Sequence, residues 1–143
     1  MTIKVISAQN LPLPPGETPD SFKPYLKVEL HVEEPGERHG TDVPQKGRQK
    51  EGEYKAKTKT HKGCEPSFKE EELKFKGIPG VVPELSFVRF RIKDDSYGRD
   101  QLAAWACVRI DRLREGTHFI HLLNAEGMET EGALFLSVSK KLY

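Results

Sequence analysis

Cysteine, tryptophan and long apolar runs are scarce in this sequence of 143 residues. Its two cysteines are too few for a disulfide framework, which favours a reducing, cytosolic setting. No apolar run approaches the roughly 20 residues that a membrane-spanning helix needs, and the first ten residues lack the continuous apolar core of a secretory signal. The net charge of +1 lacks the basic excess typical of nucleic-acid binders. We therefore predict a globular, cytoplasmic protein that binds no nucleic acid.

Motifs for catalysis are also missing. The sequence has no Walker loop, no dinucleotide fingerprint and no zinc-ligand spacing. His118 and His121 have opposite parity on a predicted strand, so they cannot chelate one metal together. Cys107 lies outside any nucleophile motif, and its small apolar neighbours predict that it packs in the core together with Trp105. The sequence indicates a binding protein, and no residue is assigned to catalysis.

A helical stripe is missing too, whereas apolar residues recur at every second position along much of the chain. In residues 25–32, aliphatic side chains alternate with Lys27, Glu29 and His31. A period of two is typical of a strand with one face in a core and the other in water. About eight such segments, separated by turn residues, predict an antiparallel sandwich or barrel.

One long polar stretch interrupts this pattern. Residues 33–53 are dense in Glu, Lys, Arg, Gly and Pro, with Val43 almost the only aliphatic side chain. Such a stretch cannot offset its ordering entropy by burial. We expect one domain over residues 1–143, with a polar loop insertion at about 33–53.

The densest acidic segment follows a predicted strand and contains Asp94, Asp95 and Asp100. Carboxylates on a short loop between strands can converge on a hard cation such as calcium, which takes six to eight oxygen ligands. Asp20, in a proline-rich connector, can join them if both loops emerge at the same end of the fold. The alternative is that Asp, Ser and Gly are ordinary turn residues here.

The sharpest charge pattern is a row of lysines. Lys55, Lys57 and Lys59 alternate along a predicted strand, residues 54–60, and Lys62 follows in the turn. Ammonium groups about 7 Å apart suit an anionic surface such as lipid headgroups, although lysines also protect strand edges from pairing, and both interpretations stay open. Arg89, Arg91 and Lys93 form a second outward basic row. The predicted lipid-binding set is Lys55, Lys57, Lys59, Lys62, Arg89 and Arg91.

Five segments carry a family resemblance. They are residues 3–12, 23–30, 83–90, 111–116 and 118–123. The last is an aromatic-hydrophobic-His-Leu-Leu run that follows a glycine-bearing turn and precedes the closing strand. Together they resemble a C2 domain, in particular the one at the carboxyl end of fungal phosphoinositide-specific phospholipase C. The resemblance implies an eight-stranded antiparallel β-sandwich, with calcium-binding loops at one end.

The resemblance to calcium-binding C2 domains is incomplete at the ligand positions. Asp94 and Asp100 match acidic positions of the third loop, whereas Lys23 and Ser96 stand where the family has acids. An ammonium group at a ligand position repels a cation instead of coordinating it. The candidate metal set, Asp94, Asp100 and Asp20, is thus expected to be degenerate, with weak or no calcium dependence.

The resemblance implies a module that docks a phosphoinositide-specific phospholipase C on anionic phospholipid membrane, peripherally and from the cytoplasm. Phe22 and Tyr97 are expected at loop tips that enter the membrane interface. The parent enzyme would hydrolyse phosphatidylinositol bisphosphate to diacylglycerol and inositol trisphosphate, with Ca²⁺ as cofactor, in a catalytic barrel outside this chain. The alternatives are a scaffold that packs on that barrel without binding lipid, and a calcium-regulated adaptor, which needs five loop carboxylates.

Overall fold

The computed structural model describes residues 1–32, 53–78, 81–96 and 99–141. In these ranges the regular structure consists of strands and two single 3-10 turns, Pro83–Leu85 and Ile110–Arg112. No helix found there has the length and apolar character to cross a bilayer. The strands are β1 (Thr2–Gln9), β2 (Pro24–His31), β3 (Glu53–Lys57), β4 (Ser67–Lys74), β5 (Phe87–Ser96), β6 (Arg99–Arg109), β7 (Gly116–Asn124) and β8 (Glu129–Ser139).

The strands pair antiparallel in the order β3-β2-β5-β6-β7-β8-β1-β4. The junction in the middle is the weakest, because β6 and β7 pair only at Ala104 with Asn124 and at Trp105 with Leu123. We call this junction the seam. The sheet turns over here, so that β3-β2-β5-β6 and β7-β8-β1-β4 enclose one core between two layers. The expected all-β antiparallel sandwich is confirmed.

Inward-facing aliphatic and aromatic side chains from both layers form this core. Val28 and Phe90 from one layer and Leu134 and Leu136 from the other are fully buried. Burying a side chain of this size contributes roughly 1.5–3 kcal/mol, so the period of two in the sequence is what holds the layers together.

The polar face of β2 differs from expectation. The alternation in residues 25–32 predicts polar side chains turned to water, yet Glu29 on that face is 0% exposed. Arg89 and Arg91 of the neighbouring β5 donate hydrogen bonds to its carboxylate and cover it. The strand and its two faces are as predicted, but a neighbouring strand supplies side chains long enough to bury the polar side as well.

Strand β3 is shorter than predicted, ending at Lys57 instead of residue 60. The cause is Thr58, whose backbone N–H donates to Leu26 O (2.9 Å) while its hydroxyl accepts from Leu26 N (3.0 Å). The hydroxyl thus takes the place of a ladder carbonyl. Lys59 then turns towards β4, where its N–H donates to Glu71 Oε1 (2.9 Å). Apart from Glu53, the predicted insertion 33–53 lies outside the described residues.

Three side chains lie elsewhere than the sequence suggested. Phe22, expected at a membrane-facing tip, is 0% exposed and belongs to the core, so it cannot enter a bilayer in this conformation. Trp105 and Cys107 were expected in the core, but both point outward from β6; Trp105 is half-buried at the seam and Cys107 is exposed. Tyr97, the second predicted tip, lies outside the described residues.

Replacing Phe22 with alanine tests its place in the core. We expect Phe22→Ala to lower the free energy of unfolding by about 3–5 kcal/mol, because it removes a buried aromatic ring and leaves a cavity. The matched control is Phe119→Ala, since Phe119 is 49% exposed and stacks on Phe135; its cost should stay below about 1.5 kcal/mol. Urea unfolding of both variants measures this. Equal, small losses would contradict the placement of Phe22.

Candidate functional site

Basic side chains from three neighbouring strands share the outer surface of the β3-β2-β5 layer. The register places Lys57 opposite Lys27 and Lys27 opposite Arg91. The next row aligns Lys55, Glu29 and Arg89, in that order. A further pair sets Lys93 opposite Tyr25. We call this surface the cationic face and define it as Lys27, Lys55, Lys57, Arg89, Arg91 and Lys93.

Glu29 is the counterion at the centre of this face. Both of its carboxylate oxygens accept hydrogen bonds, one from Arg89 and the other from Arg91. His31 Nε2 lies 3.1 Å from one oxygen, and Lys27 Nζ lies 4.0 Å from the other. One buried carboxylate therefore compensates several cations at once, which is what allows basic residues to line up in adjacent strands.

The pKa values record the same balance of charge. Burial alone would raise the pKa of Glu29, but the hydrogen bond from Arg89 and the charges of Arg91 and Arg89 outweigh it and hold this pKa at about 2. The pKa of Lys27 is lowered, by burial first and then by the positive charges of Lys55 and Arg91. At Lys27 the neighbouring positive charges thus add to burial in disfavouring the protonated side chain, although Glu29 lies nearby.

The predicted lipid-binding residues fall into three groups in the structure. Lys55 and Lys57 are exposed and project from the cationic face as expected. Arg89 and Arg91 lie on the same face but are bonded to Glu29, so their charge is partly neutralised. Lys59 and Lys62, predicted to act with them, are exposed but lie beyond the end of β3, outside its pairing register; Lys59 lines a groove with Lys57 and Tyr25.

Sequence reasoning placed Lys93 in the second basic row but missed Lys27 as a member of this face. The signal was present for Lys27, since it has the same parity as Glu29 on a strand that was correctly predicted. What the sequence does not show is the order of strands in space, which puts β2 between the two basic rows. Its lysine completes the row from Lys57 to Arg91.

The connector between β1 and β2, the loop after β3 and the carboxyl end of β5 meet at one end of the sandwich, as the acidic-cluster prediction requires. Lys23 N–H donates to Asp94 Oδ1 (2.9 Å), and Asp95 N–H donates to Lys23 O (2.9 Å). The connector also meets the loop after β3, because Gly63 N–H donates to Phe22 O (3.0 Å). This end of the fold is therefore tied together by backbone hydrogen bonds.

The acids predicted on a loop between strands, here called the loop acids, lie in the paired ends of β5 and β6 instead. Protein donors engage them, and they do not converge on a common point. Asp95 accepts from the Thr60 hydroxyl (2.9 Å), and Asp100 accepts from the Tyr25 hydroxyl. Burial, followed by this hydrogen bond and the Asp100 charge, raises the pKa of Tyr25 to about 12, so the phenol remains a donor. Asp20 is exposed on the connector.

A calcium ion does not fit the loop acids as they are arranged. Asp94 is fully buried with one oxygen, Oδ2, lacking a hydrogen-bond partner, which is the feature that favours an ion. Yet among the described residues, Asp20, Asp94 and Asp100 do not form a group of carboxylate oxygens within 4.8 Å of one another. The group that meets this distance is Glu29, His31 and Glu53, where the neighbouring arginines repel a cation.

Comparison with known proteins places this fold. A family model described as the C2 domain matches residues 1–124. The chain belongs to the C2 domain family. Inactive phospholipase C-like protein 2 of Mus musculus and that of Homo sapiens are each 29% identical to it over 140 residues. The alignment covers 96% of this C2 domain chain but 11% of each relative.

Solved structures agree on the fold. The crystal structure of L. pealei PLC21 superposes with a TM-score of 0.65 at 24% identity, covering 99% of this chain and 16% of that one. A C2 domain of plant extended synaptotagmin 1 superposes with a TM-score of 0.63 at 17% identity, covering 97% of this chain and 95% of that one. At these identities the likeness supports the C2 sandwich and nothing finer.

Neutralising Glu29 tests its role as the counterion. We expect Glu29→Gln to lower the free energy of unfolding by roughly 3 kcal/mol at neutral pH, because it leaves two half-buried arginines without their counterion. The control is Glu72→Gln, on the exposed pair with Lys74 (3.4 Å), which should cost less than about 1 kcal/mol.

The pH dependence gives an independent readout. The folded pKa of Glu29, about 2, lies below its ordinary value of 4.5, so its stabilisation is fully present above pH 4.5 and is lost as the pH falls towards 2. The stability gap between the unsubstituted chain and Glu29→Gln should therefore close over that window in denaturant titrations. A gap that stays constant down to pH 2 would refute the ionised counterion.

Proposed function

We propose that this C2 domain docks its parent protein on anionic phospholipid membranes through the cationic face, with weak or no calcium dependence. The observation that carries the proposal is the register that aligns Lys57, Lys27 and Arg91 across three strands. Neighbouring strands are about 4.8 Å apart and alternate residues about 7 Å apart, so these cations form a two-dimensional array. Such an array matches the phosphate groups of a membrane surface better than it matches a single small ligand.

The charge of the face supports an anionic partner. Six basic side chains stand on it against Glu29 and, at its edge, Glu53, which pairs with Lys55 (3.0 Å). Each lysine or arginine near an anionic bilayer contributes on the order of 1 kcal/mol. Edge protection explains lysines on β3, but it does not explain cations on β2 and β5, which are interior strands of the layer.

Weak calcium dependence follows from the loop end of the domain. Lys23 stands where calcium-binding relatives carry an acid, and Tyr25 and Thr60 donate to the acids that are present. The cationic face in turn carries its own positive charge. The domain can thus meet an anionic surface without a bridging divalent ion.

We further propose that the parent is a phospholipase C-like protein. Support comes from the likeness to inactive phospholipase C-like protein 2 over 96% of the chain. Hydrolysis of phosphoinositides by a barrel elsewhere in the parent, its use of Ca²⁺ there, a fungal source and a cytoplasmic, membrane-peripheral location remain predictions from the resemblance.

A second candidate is a scaffold that packs against the rest of the parent and has no lipid affinity of its own. One observation favours it: the chain spans only 11% of its curated relatives, so other parts of such a parent have ample surface to cover it. Both candidates allow the same fold, and vesicle binding by the chain alone separates them.

Paired lysine substitutions test the docking proposal. We expect Lys55→Gln/Lys57→Gln to weaken binding to phosphatidylserine-containing vesicles about 30-fold, since two lysines contribute about 2 kcal/mol. Lys59→Gln/Lys62→Gln should weaken it less, because these residues lie beyond the strand. Sedimentation of vesicles at low and physiological salt measures the binding, which should fall as salt rises.

The control removes the same charge from the opposite layer, by Lys74→Gln/Lys76→Gln, and should leave binding nearly unchanged. Both lysines are exposed, on or just after β4. If the two pairs of substitutions weaken binding equally, only bulk charge matters and the cationic face is not the site. If the unsubstituted chain binds no vesicles at low salt, the scaffold is favoured instead.

Calcium titration tests the remaining part of the proposal. We expect no saturable heat when Ca²⁺ is added to the chain in a calorimeter, because the loop acids are engaged by protein donors. Vesicle binding should likewise be unchanged by a chelator. A dissociation constant below about 10⁻⁴ M, in the range of calcium sensors, would overturn calcium independence.

A further inference from the structure

The seam between the two layers opens into a cavity. Past the pairs at Ala104 and Trp105, β6 and β7 form no further pairs, although β6 continues to Arg109 and β7 starts at Gly116. The space between them measures about 470 Å³, within the roughly 300–1,000 Å³ typical of small-molecule sites. It adjoins the cationic face, because Trp105 and Cys107 of its lining pair with Arg91 and Arg89 of β5, but none of the six residues of that face lines it.

The floor of this seam cavity is apolar. Ala106, Val108, Leu113 and Ile120 line it, and the cavity thus reaches side chains that pack on the core. The one polar atom of Trp105, its indole N–H, is already donated to Asn124 O (2.9 Å), so its ring offers the cavity an apolar surface. An occupant must therefore bring an apolar part.

The rim of the seam cavity is basic. Arg112 and Arg114 line it, and no carboxylate is among its lining residues. The acids next to them in sequence are engaged elsewhere: Arg109 bonds both oxygens of Asp111 (2.9 and 2.7 Å), and Glu115 Oε1 accepts from Lys140 N (3.1 Å). In the described part of the chain, no carboxylate oxygen lies within 4.0 Å of Arg112 or Arg114. The two guanidinium groups are available to an anion at the mouth of an apolar slot.

We propose that the seam cavity binds an anionic amphiphile, with one acyl chain in the slot and its acidic head on Arg112 and Arg114. The shape also argues against an extended peptide. From Trp105 to Arg109 the slot runs along five residues of strand, a rise of about 13 Å, which gives few main-chain hydrogen bonds for strand addition. The basic rim and the apolar floor together favour an acidic lipid or a fatty acid. The site shares no residue with the cationic face.

Trp105 is the only tryptophan of the chain, and it lines the seam cavity, so its fluorescence reports occupancy directly. The probe is a lysophosphatidic acid with a brominated acyl chain, which quenches on contact, used below its micelle concentration with the full 143-residue chain. We expect saturable quenching, with affinity rising about fourfold per added methylene until the slot is filled. The neutral monoacylglycerol with the same chain should bind at least tenfold more weakly.

Two variants locate the site. Arg112→Ala/Arg114→Ala should remove the preference for the acidic probe but keep weak binding of the neutral one. Val108→Phe, which fills the slot, should reduce quenching by both probes at least tenfold, with thermal unfolding confirming that the chain still folds. Lys74→Ala/Lys76→Ala removes the same charge elsewhere and should change nothing.

Three outcomes would overturn the inference: no saturable quenching, equal affinity for both probes, or quenching that survives Val108→Phe. A brominated fatty acid in place of the phosphate probe distinguishes the two kinds of acidic head. Lys55→Gln/Lys57→Gln should leave quenching intact, so failure of membrane docking and failure of the seam site are told apart.

Discussion

The basic surface of this C2 domain depends on one buried carboxylate. Lysine and arginine side chains on adjacent strands repel one another, and two arginines cannot be half-buried side by side without a counterion. Glu29 supplies it from the central strand of the three, and its charge is shared by Arg89, Arg91, His31 and Lys27. The same contacts that stabilise the layer leave Lys55 and Lys57 as the cations most open to a partner.

At the loop end of the domain the clustered charges are negative, and hydrogen-bond donors hold them. Lys23 N–H donates to Asp94, and the Tyr25 hydroxyl donates to Asp100. Tyr25 connects the two regions, because Lys57 Nζ lies 5.8 Å from the centre of its ring. Hydrogen bonds from protein groups thus hold this end of the domain together.

Much of this arrangement was predictable from alternation alone, and the errors have a common cause. The parity of Lys55 and Lys57 is a local property, so the sequence predicted their shared orientation correctly. The burial of Phe22 and Glu29 depends on residues distant in sequence, Gly63 and Arg89, which only strand order brings near. Trp105 was misplaced because small neighbours indicate close packing but not which face of β6 is open. Local patterns predicted the strands, whereas the site required knowledge of which strands are neighbours.

The hairpin of β2 and β3 has one more consequence. His31 and Glu53 are register partners, so the two ends of the segment between them meet in the sheet, however many residues intervene. The entropic cost of bringing the ends of a connection together grows only with the logarithm of its length, about 0.6 kcal/mol for each doubling. The pairing of β2 with β3 therefore depends on the residues of the two strands far more than on the length of chain that joins them.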